Sequence, residues 1–333
     1  MKAIVLQGPD QPLALQEVET PAPKTGEVLV QLKAASLNRR DWWITKGKYA
    51  NISYPAIIGS DGTGIVTAAG SESDAHWIGK ELIIYPAHNW GDSEEYQSDK
   101  FSIIGLPPHS GTFAEYVTAP IAHLQLKPAH LSWEQAATLP VAGLTAYRAL
   151  FTKAGVKKGD TVLVTGVGGG AATFALQYAI DTGCRVFVTS GSGEKIERAR
   201  ELGALAGVSY KAQDWAEQLK QLSGGFDIII DSALGDGFSK LLDVINPGGR
   251  IVFFGGTAGG NLPELNGRKI FWRHISILGT TMGTPTEFAD MIDYIGENKL
   301  KPVIDAVFPL ADAEKAFRLM DDSSQFGKIV LTV

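Results

Sequence analysis

The sequence predicts a mixed α/β fold with two domains, one a doubly wound parallel sheet and the other β-rich. Three observations support this prediction. From about residue 160 onward, apolar strand candidates alternate with segments of helical periodicity, as βαβ units require. One of those strands ends in a glycine-dense turn that leads directly into a helix. The first 120 residues instead contain short strands separated by proline and glycine turns, which indicates a barrel-like all-β unit.

Strand candidates at both ends of the chain define the β-rich domain. In the first part of the chain they are Lys2–Leu6, Glu27–Ala35, Gly64–Ala69, Glu81–Tyr85 and Ala114–Thr118. Polar sequence with several prolines from His88 to Ser110 predicts a long surface loop or lobe. After Leu300, β character returns at Val303–Phe308 and Lys328–Thr332, so we expect the last strands to rejoin the first domain.

The middle of the chain carries the candidates for the parallel sheet. They are Thr161–Thr165, Arg185–Thr189, Gly207–Tyr210, Asp227–Asp231, Arg250–Phe254 and Ile275–Gly279. Six parallel strands with helices between them are enough for a complete doubly wound nucleotide-binding domain. We therefore assign residues 1–124 and 300–333 to the β-rich domain and residues 125–299 to the nucleotide-binding domain.

The glycine-dense turn is the most specific signal in the chain. Its candidate cofactor-binding residues are Gly166, Gly168, Gly169, Gly170 and Ala171, which include a G-x-G-x-x-A match. Such a turn needs residues that tolerate positive φ and lack a side chain, so that backbone amides can approach a pyrophosphate. The helix that follows offers unpaired N–H groups and a partial positive charge. A glycine run can also serve only as a flexible turn, but strand, turn and helix together favour dinucleotide binding.

The end of the next strand indicates which dinucleotide is bound. A site for NADH usually has Asp or Glu there, to bind the adenosine ribose hydroxyls. This chain has Thr189 and Ser190 instead, with Lys195 a few residues later. Hydroxyl groups and an ammonium group suit the 2′-phosphate of NADPH, which a carboxylate would repel. The sequence therefore favours NADPH; the alternative for Lys195 is an ordinary solvated helix residue.

Length, charge and cysteine content limit the remaining choices. With 333 residues, two domains can each bury a core. A net charge of −6 argues against nucleic acid as a partner. The apolar run after Met1 is too short for a signal peptide, and no apolar segment is long enough to span a membrane. With Cys184 as the single cysteine, intrachain disulfides are impossible, so we expect a cytoplasmic protein.

Several motifs resemble the medium-chain dehydrogenase/reductase superfamily along nearly the whole chain. They are Gly59–Val66, Gly111–Val117, Leu139–Tyr147, Pro247–Val252 and Gly327–Val330. The segments Asn38–Tyr49 and Pro140–Tyr147 are similar to the zinc-free quinone oxidoreductase branch. The resemblance implies a GroES-like catalytic domain, a Rossmann domain, NADPH as cofactor, a small-molecule electron acceptor and a homodimer.

Metal ligands of the superfamily are missing from their expected positions. Its zinc alcohol dehydrogenases have Cys where this chain has Asn38, and His-Glu where it has Ser60-Asp61. A single cysteine on another strand cannot supply the thiolates. The six histidines show no i, i+4 spacing and are read as surface or loop residues. An all-oxygen site using Asp41 and Asp61 stays open for a harder cation, but we predict no metal.

Without a Lewis acid, the favoured reaction is hydride transfer to a conjugated carbon, as in a quinone or an enone. The resemblance implies that Asn38 donates to the substrate oxygen or cofactor and that Tyr49 orients substrate or relays a proton. Asn38 as a turn residue and Tyr49 as a packing residue are the alternatives. Arg39 and Arg40 depart from the pattern of the branch, either as surface cations or as groups that favour a polar acceptor.

Further cofactor contacts follow from the resemblance and from the positions of strand ends. They are Tyr210, Phe254, Gly255, Thr281, Met282 and Lys328. Strand packing is the alternative for Tyr210, and a solvated position is the alternative for Lys328. Two other functions stay open: a zinc-dependent type of alcohol dehydrogenase, and an NADPH-binding structural or regulatory protein without turnover.

Overall fold

A computed structural model describes residues 1–262 and 264–333. The chain forms two compact units, one comprising Met1–Ala142 with Thr284–Val333 and the other Gly143–Gly283. Within the described ranges, no helix combines the length and the apolar character needed to cross a membrane.

The strands, in chain order, are β1 (Lys2–Leu6), β2 (Ala14–Glu17), β3 (Glu27–Ser36), β4 (Ala56–Ile57), β5 (Asp61–Ala69), β6 (Glu81–Ile84), β7 (Ala87–His88), β8 (Ser102–Ile103), β9 (Tyr116–Pro120), β10 (Leu124–Leu126), β11 (Thr161–Val164), β12 (Arg185–Ser190), β13 (Ala206–Ser209), β14 (Phe226–Asp231), β15 (Ile245–Phe253), β16 (Ser276–Gly279), β17 (Ile304–Pro309) and β18 (Lys328–Thr332). Each strand predicted from the sequence is present, some with shifted ends.

The α-helices are α1 (Arg39–Thr45), α2 (Trp133–Ala137), α3 (Leu144–Tyr147), α4 (Gly170–Asp181), α5 (Gly193–Glu201), α6 (Trp215–Ser223), α7 (Phe238–Val244), α8 (Gly267–Trp272), α9 (Pro285–Asn298) and α10 (Ala313–Asp321). The shorter helical turns are 3₁₀ at Glu72–Trp77, Ile121–His123 and Leu310–Asp312, and π at Leu139–Gly143 and Arg148–Lys153.

The first unit is built around a sheet in the order β10-β6-β5-β3-β18-β17, with β9 also paired to β3. Its neighbouring strands are antiparallel except for the parallel pair β17 and β18. Buried and partly exposed residues alternate along most of β3, and Val28, Val30 and Leu32 enter the core. Strand β18 pairs with β3, so the C-terminal strands rejoin the N-terminal part of the chain as predicted.

The unit boundaries differ from the predicted domain boundaries at residues 124/125 and 299/300. Residues 125–142 and 284–299 belong to the first unit. Helix α2 packs against β3, β5 and β18 of that unit. Phe288 of α9 has its ring centroid 5.5 Å from that of Tyr85, which follows β6. Periodicity can identify a helix, but it does not show which unit the apolar face of that helix packs against. The predicted boundaries therefore placed both segments in the nucleotide-binding domain.

The polar segment from His88 to Ser110 is more ordered than a surface loop. It contains β8, which pairs with β7, and it buries Trp90, Ile104 and Leu106. The indole Nε1 of Trp90 donates to the Ser93 carbonyl at 2.8 Å. The segment is therefore a small lobe with its own apolar contacts, one of the two possibilities that the sequence left open.

The second unit contains a six-stranded parallel sheet in the order β13-β12-β11-β14-β15-β16. Its central strands carry continuous apolar runs because helices cover both faces, and Leu163, Ile229 and Ile251 are fully buried. The direction of chain progression reverses between β11 and β14. In doubly wound sheets, ligands bind at the carboxyl ends of the strands beside this switch point.

Candidate active site

The glycine turn lies at the carboxyl end of β11, beside the switch point. Gly166 and Gly168 have φ angles of 62° and 124°, which side chains disfavour. Helix α4 begins at Gly170, and a Cβ added to Gly169 would meet no atom within 4 Å. The space beside Gly169, at the N-terminus of α4, is therefore open. This geometry fits a pyrophosphate bound at the N-terminus of α4, with Ala171 in its first turn.

Strand β12 ends beside this turn, as the cofactor prediction requires. The N–H of Gly166 donates to Thr189 Oγ1 at 3.2 Å, so this hydroxyl holds the turn in place. Ser190 is buried, and its Oγ accepts from the N–H of Ser192 at 3.3 Å. Both positions lack the carboxylate of an NADH site, and Ser190 shapes the backbone that follows β12.

The Ser190–Gly193 turn is closely packed against the end of β13. A Cβ added to Gly191 would lie 2.6 Å from the Tyr210 hydroxyl and 3.0 Å from Cε of Lys211. Lys195 is in the first turn of α5, which begins at Gly193. The structure thus brings the predicted residue Tyr210 to this turn. It also adds Lys211, which the sequence analysis missed because adjacency to Gly191 depends on the β12–β13 pairing.

The remaining predicted residues of this unit follow β15 and β16. Phe254 is buried and Gly255 has a φ of 76°. Thr281 is exposed, whereas Met282 is buried with a left-handed φ of 44°. Their neighbour Thr280 has a buried Oγ1 without a hydrogen-bond partner among the described residues. An unsatisfied buried hydroxyl needs a partner, so Thr280 is a further candidate cofactor contact.

Lys328 differs from the other predicted cofactor residues, because it belongs to the first unit. It is buried in β18, and its ammonium group donates to the Leu37 carbonyl at 2.8 Å, to Asn38 Oδ1 at 2.7 Å and to Asp61 Oδ2 at 3.0 Å. These three acceptors use all three ammonium protons. The solvated alternative is therefore wrong. A contact between Lys328 and the cofactor stays a prediction, and it would require the loss of one of these bonds.

Asn38 is placed at the centre of this buried cluster, immediately before α1. Its Nδ2 lies 3.4 Å from Ser60 Oγ, a weak contact, while its Oδ1 is held by Lys328. One N–H of the Asn38 amide has no acceptor among the described residues. Its backbone N–H donates to Asp41 Oδ2 at 2.8 Å, which holds the first turn of α1. Asn38 is therefore a turn residue, and a hydrogen bond from its amide to substrate or cofactor stays a prediction.

Asp61 anchors the cluster from strand β5. Its carboxylate accepts from Ser36 Oγ at 2.7 Å and from Lys328, both at Oδ2. Its Oδ1 accepts from the Val141 N–H at 2.8 Å. Asp61 is completely buried, and these three donors with the Lys328 charge compensate the carboxylate.

Tyr49 is linked to Asn38 through Arg40 and Asp41. Arg40 Nε lies 3.4 Å from the Tyr49 hydroxyl, and the guanidinium carbon lies 4.9 Å from the Tyr49 ring centroid. The other side of the guanidinium contacts Asp41 at 3.3 Å and the Ile104 carbonyl at 2.9 Å. Arg40 is therefore a buried structural residue and not a surface cation. The Tyr49 ring packs against the core, and its hydroxyl oxygen accepts a hydrogen bond from the Arg40 guanidinium.

Burial raises the pKa of Asp41 to about 6, against an opposing effect of Arg40. The buried carboxyl loses water that would stabilise its charged form, and the nearby Asp61 raises the pKa further. Asp41 with Asp61 does not make an oxygen site for a harder cation, because Arg40 and Lys328 already occupy their carboxylates. A second cation would meet these two buried positive charges.

Zinc does not fit the corresponding positions of this chain. The ligand positions hold Asn38, Ser60 and Asp61, which provide an amide, a hydroxyl and a carboxylate already paired with an ammonium group. Val141, from the segment where zinc enzymes of the superfamily have a further Cys, contributes its backbone N–H to Asp61. Zinc prefers thiolate and imidazole ligands. Among the described residues, no group of three or more His, Cys, Asp or Glu side chains is arranged to hold a metal ion.

Three histidines come together in the first unit, although their sequence spacing gives no sign of it. His88 stacks on His109 with ring centroids 3.7 Å apart, and its centroid lies 4.8 Å from that of His123. Burial, with the neighbouring histidines, lowers the pKa of His88 to about 4, and burial beside His109 does the same for His123. Burial also lowers the pKa of His109. These rings are therefore partly buried and neutral, and not simple surface residues.

This histidine cluster predicts acid sensitivity. Between pH of about 6.5 and 4, the unfolded chain binds more protons at His88 and His123 than the folded chain does, so the free energy of unfolding should fall as the pH decreases. Asp41 acts in the opposite direction, because its raised pKa makes its contribution largest at low pH and lost as the pH rises through about 6. Because two histidines lower the free energy of unfolding in acid and one carboxyl raises it, we expect the folded protein to be less stable at low pH.

Urea unfolding from pH 7 to 4.5 measures this effect. His88→Phe should flatten the decrease in stability, whereas His76→Gln, at an exposed position, should leave it unchanged. Equal pH dependence in wild type and His88→Phe would contradict the prediction.

Comparison with known proteins gives the family. The family described as "Zinc-binding dehydrogenase" matches residues 166–297, and "Alcohol dehydrogenase GroES-like domain" matches residues 24–129. The chain is 36% identical to the zinc-type alcohol dehydrogenase-like protein YogA of Leptosphaeria maculans over 342 residues, which cover 97% of this chain and 95% of the relative. This chain belongs to the medium-chain dehydrogenase/reductase superfamily. The resemblance found in the sequence is thereby confirmed, together with the fold class.

Other members of the superfamily show the range of named activities. Acryloyl-coenzyme A reductase of Sulfurisphaera tokodaii is 27% identical over 349 residues, which cover 99% of each chain. Human quinone oxidoreductase is 28% identical over 334 residues, covering 97% of this chain and 94% of the relative. A crystal structure titled NAD-dependent alcohol dehydrogenase superimposes with a TM-score of 0.92 at 36% identity, covering 100% of both chains. The protein is thus a medium-chain oxidoreductase that uses a nicotinamide cofactor.

Proposed function

We propose that this protein reduces a conjugated acceptor, either a quinone or an α,β-unsaturated carbonyl, with NADPH and without zinc. The observation that carries the proposal is the buried cluster around Asn38. It retains one amide N–H for a substrate oxygen but offers zinc only an amide, a hydroxyl and a carboxylate already paired with Lys328. Two relatives named for reduction of acryloyl-coenzyme A and of quinones support this class of acceptor.

The residues of the cluster suit reduction better than alcohol oxidation. When bound, NADPH supplies a hydride, and a conjugated acceptor spreads the resulting negative charge onto its oxygen. Asn38 donates a hydrogen bond to that oxygen, which is the modest stabilisation that such a charge needs. The hydroxyl oxygen of Tyr49 accepts from Arg40, which leaves the O–H as a donor that can supply a proton to the reduced product. Ionising an alcohol would need a stronger Lewis acid or a tuned base.

An acceptor panel tests the proposal. Purified protein should oxidise NADPH with quinones and enones, at the same rate before and after incubation with a chelator, and elemental analysis should find no stoichiometric zinc. Alcohol oxidation that is lost together with bound zinc would establish a zinc alcohol dehydrogenase instead. Tight NADPH binding without turnover of any acceptor would support a structural or regulatory protein.

The preference for NADPH rests on the surroundings of the Ser190–Gly193 turn. Lys195 follows this turn in the first turn of α5, and the side chains of Tyr210 and Lys211 lie against Gly191. Neither Thr189 nor Ser190 carries a charge that would repel a 2′-phosphate. The competing cofactor is NADH, since a structure of 36% identity is titled NAD-dependent.

Removing one of these cations should weaken NADPH binding. Lys195→Ala should cost about 1–2 kcal/mol of binding free energy, roughly tenfold in Kd per 1.4 kcal/mol. NADH binding should not change, because NADH has no 2′-phosphate. Fluorescence titration of both cofactors measures the two constants, with Lys299→Ala, at an exposed helix end, as the matched control. Tighter or equal binding of NADH by the wild type would disprove the preference.

We also propose a cytoplasmic homodimer. In the second unit, β16 lies at the edge of the sheet and has no neighbouring strand on one side among the described residues. Next to it in sequence, Phe271 and Trp272 of α8 are 66% and 80% exposed, which is unusual for large aromatic side chains. A second copy of the chain would cover them. Light scattering should give twice the monomer mass for the wild type and less for Trp272→Asp.

A further inference from the structure

Lys328 has the contacts of a residue that orients Asn38. Its ammonium group lies 2.7 Å from Asn38 Oδ1 and 3.0 Å from Asp61 Oδ2. An ammonium group has three protons and no acceptor, so the atom of Asn38 that faces it must be the carbonyl oxygen. We infer that Lys328 is a positioning residue, which holds the Asn38 amide with Nδ2 as the atom available to the substrate oxygen.

The opposite orientation of the amide is unfavourable. It would place the NH₂ group against the ammonium group, two donors without an acceptor between them. It would also turn Oδ1 toward the substrate, where a carbonyl oxygen or a developing negative charge would be repelled. Lys328 therefore selects the donor orientation. Ser60 adds a contact on the other side of the amide, at 3.4 Å from Nδ2.

Asp61 in turn holds Lys328 in place. Its Oδ2 accepts from Ser36 Oγ as well as from Lys328, and its Oδ1 accepts from the Val141 backbone. A carboxylate with three fixed donors cannot move without breaking several bonds. The ammonium group is therefore confined between this carboxylate, the Leu37 carbonyl and Asn38. Hydrogen bonds therefore connect the buried Asp61 carboxylate to Lys328, and Lys328 to the Asn38 amide.

This inference rests on the proposed reduction of a conjugated acceptor, in which Asn38 binds the acceptor oxygen. It also differs from the simpler view that Lys328 only stabilises the fold as the partner of Asp61. In that view its removal would affect turnover to the same extent whether or not Asn38 is present. If Lys328 acts through Asn38, the effect must depend on Asn38.

A double-mutant cycle separates the two views. Lys328→Met alone would leave the buried Asp61 carboxylate without its cation, so the cycle uses the charge-free pair Lys328→Met with Asp61→Asn. Turnover of the acceptor is measured for the wild type, Asn38→Ala, the pair, and the pair combined with Asn38→Ala. Thermal unfolding confirms that each protein is folded. We expect the pair to lower kcat about tenfold with Asn38 present and less than about twofold without it. Equal losses in both backgrounds would overturn the inference.

A second measurement does not depend on activity. Selective ¹⁵N labelling of asparagine, with the Asn38 signal assigned from its loss in Asn38→Ala, reports the side-chain amide directly by NMR. In the wild type its protons should show a nuclear Overhauser effect to Ser60, and the pair should lose it. An unchanged Asn38 amide signal in the pair would disprove positioning by Lys328. If the wild type reduces no acceptor, the proposed function fails, but this measurement still decides the orienting role.

Discussion

Asn38→Ala should lower kcat for acceptor reduction about a hundredfold, the usual effect of removing one preorganised donor to an oxygen that gains negative charge. The amide is held on its carbonyl side by Lys328, so little reorganisation is needed when the substrate oxygen arrives. The Kd for NADPH should stay the same, because the glycine turn and the Ser190–Gly193 turn belong to the other unit. Stopped-flow recording of nicotinamide absorbance gives the rate, and titration gives the Kd.

The matched control for this prediction is Asn298→Ala. Asn298 is exposed at the end of α9, and its Nδ2 donates to the Tyr294 carbonyl four residues earlier. Its replacement removes the same side chain without affecting the cluster. Wild-type turnover in Asn38→Ala, with a folded protein, would show that cofactor and pocket walls position the acceptor without this amide.

Gly64→Ala should strongly destabilise the first unit. Gly64 pairs with Leu32 of β3, next to a register shift in that strand. A Cβ at residue 64 would lie 2.1 Å from the Gln31 carbonyl oxygen and 2.9 Å from Leu32 Cα, which are backbone atoms that cannot rotate away. Relieving the overlap requires separation of β5 from β3, at the centre of the sheet. We expect a loss of about 4 kcal/mol or more in the free energy of unfolding.

Thermal and urea unfolding measure this effect, with a decrease in Tm on the order of 10 °C expected. Gly296→Ala is the matched control. Gly296 lies inside α9, and an added Cβ would meet no atom within 4 Å. Alanine should raise helix stability there by about 0.5–1 kcal/mol. A Gly64→Ala protein as stable as the wild type would mean that the two strands can move apart at little cost.

The parallel sheet and its glycine turn were predictable because their signals are local. A buried parallel strand needs a continuous apolar run, and a turn against a pyrophosphate needs glycines at the strand end, so both requirements are met within about twenty residues of chain. The same holds for Gly166 and Gly168, whose positive φ angles are the reason for glycine at those positions. The absence of thiolate ligands was equally predictable, since it requires only counting one cysteine.

The unit boundaries were not predictable in the same way. The sequence does not show which unit α2 and α9 belong to. In the structure, α2 packs against β3, β5 and β18, and Phe288 of α9 contacts Tyr85, so both belong to the first unit. The histidine cluster was also missed, since His88, His109 and His123 are distant in sequence and meet only through the lobe that contains β7 and β8. Lys211 lies at Gly191 because β13 pairs with β12.

The amino-acid sequence alone therefore determined the fold class, the glycine turn after β11 and the absence of cysteines from the zinc-ligand positions. The role of Lys328 was decided by tertiary structure. In the sequence, Lys328 is more than 260 residues from both Asn38 and Asp61. Pairing of β18 with β3 and of β3 with β5 brings the three residues together in the interior. A buried ammonium group must satisfy its three donors with the acceptors around it, and those acceptors are known only once the strands have paired.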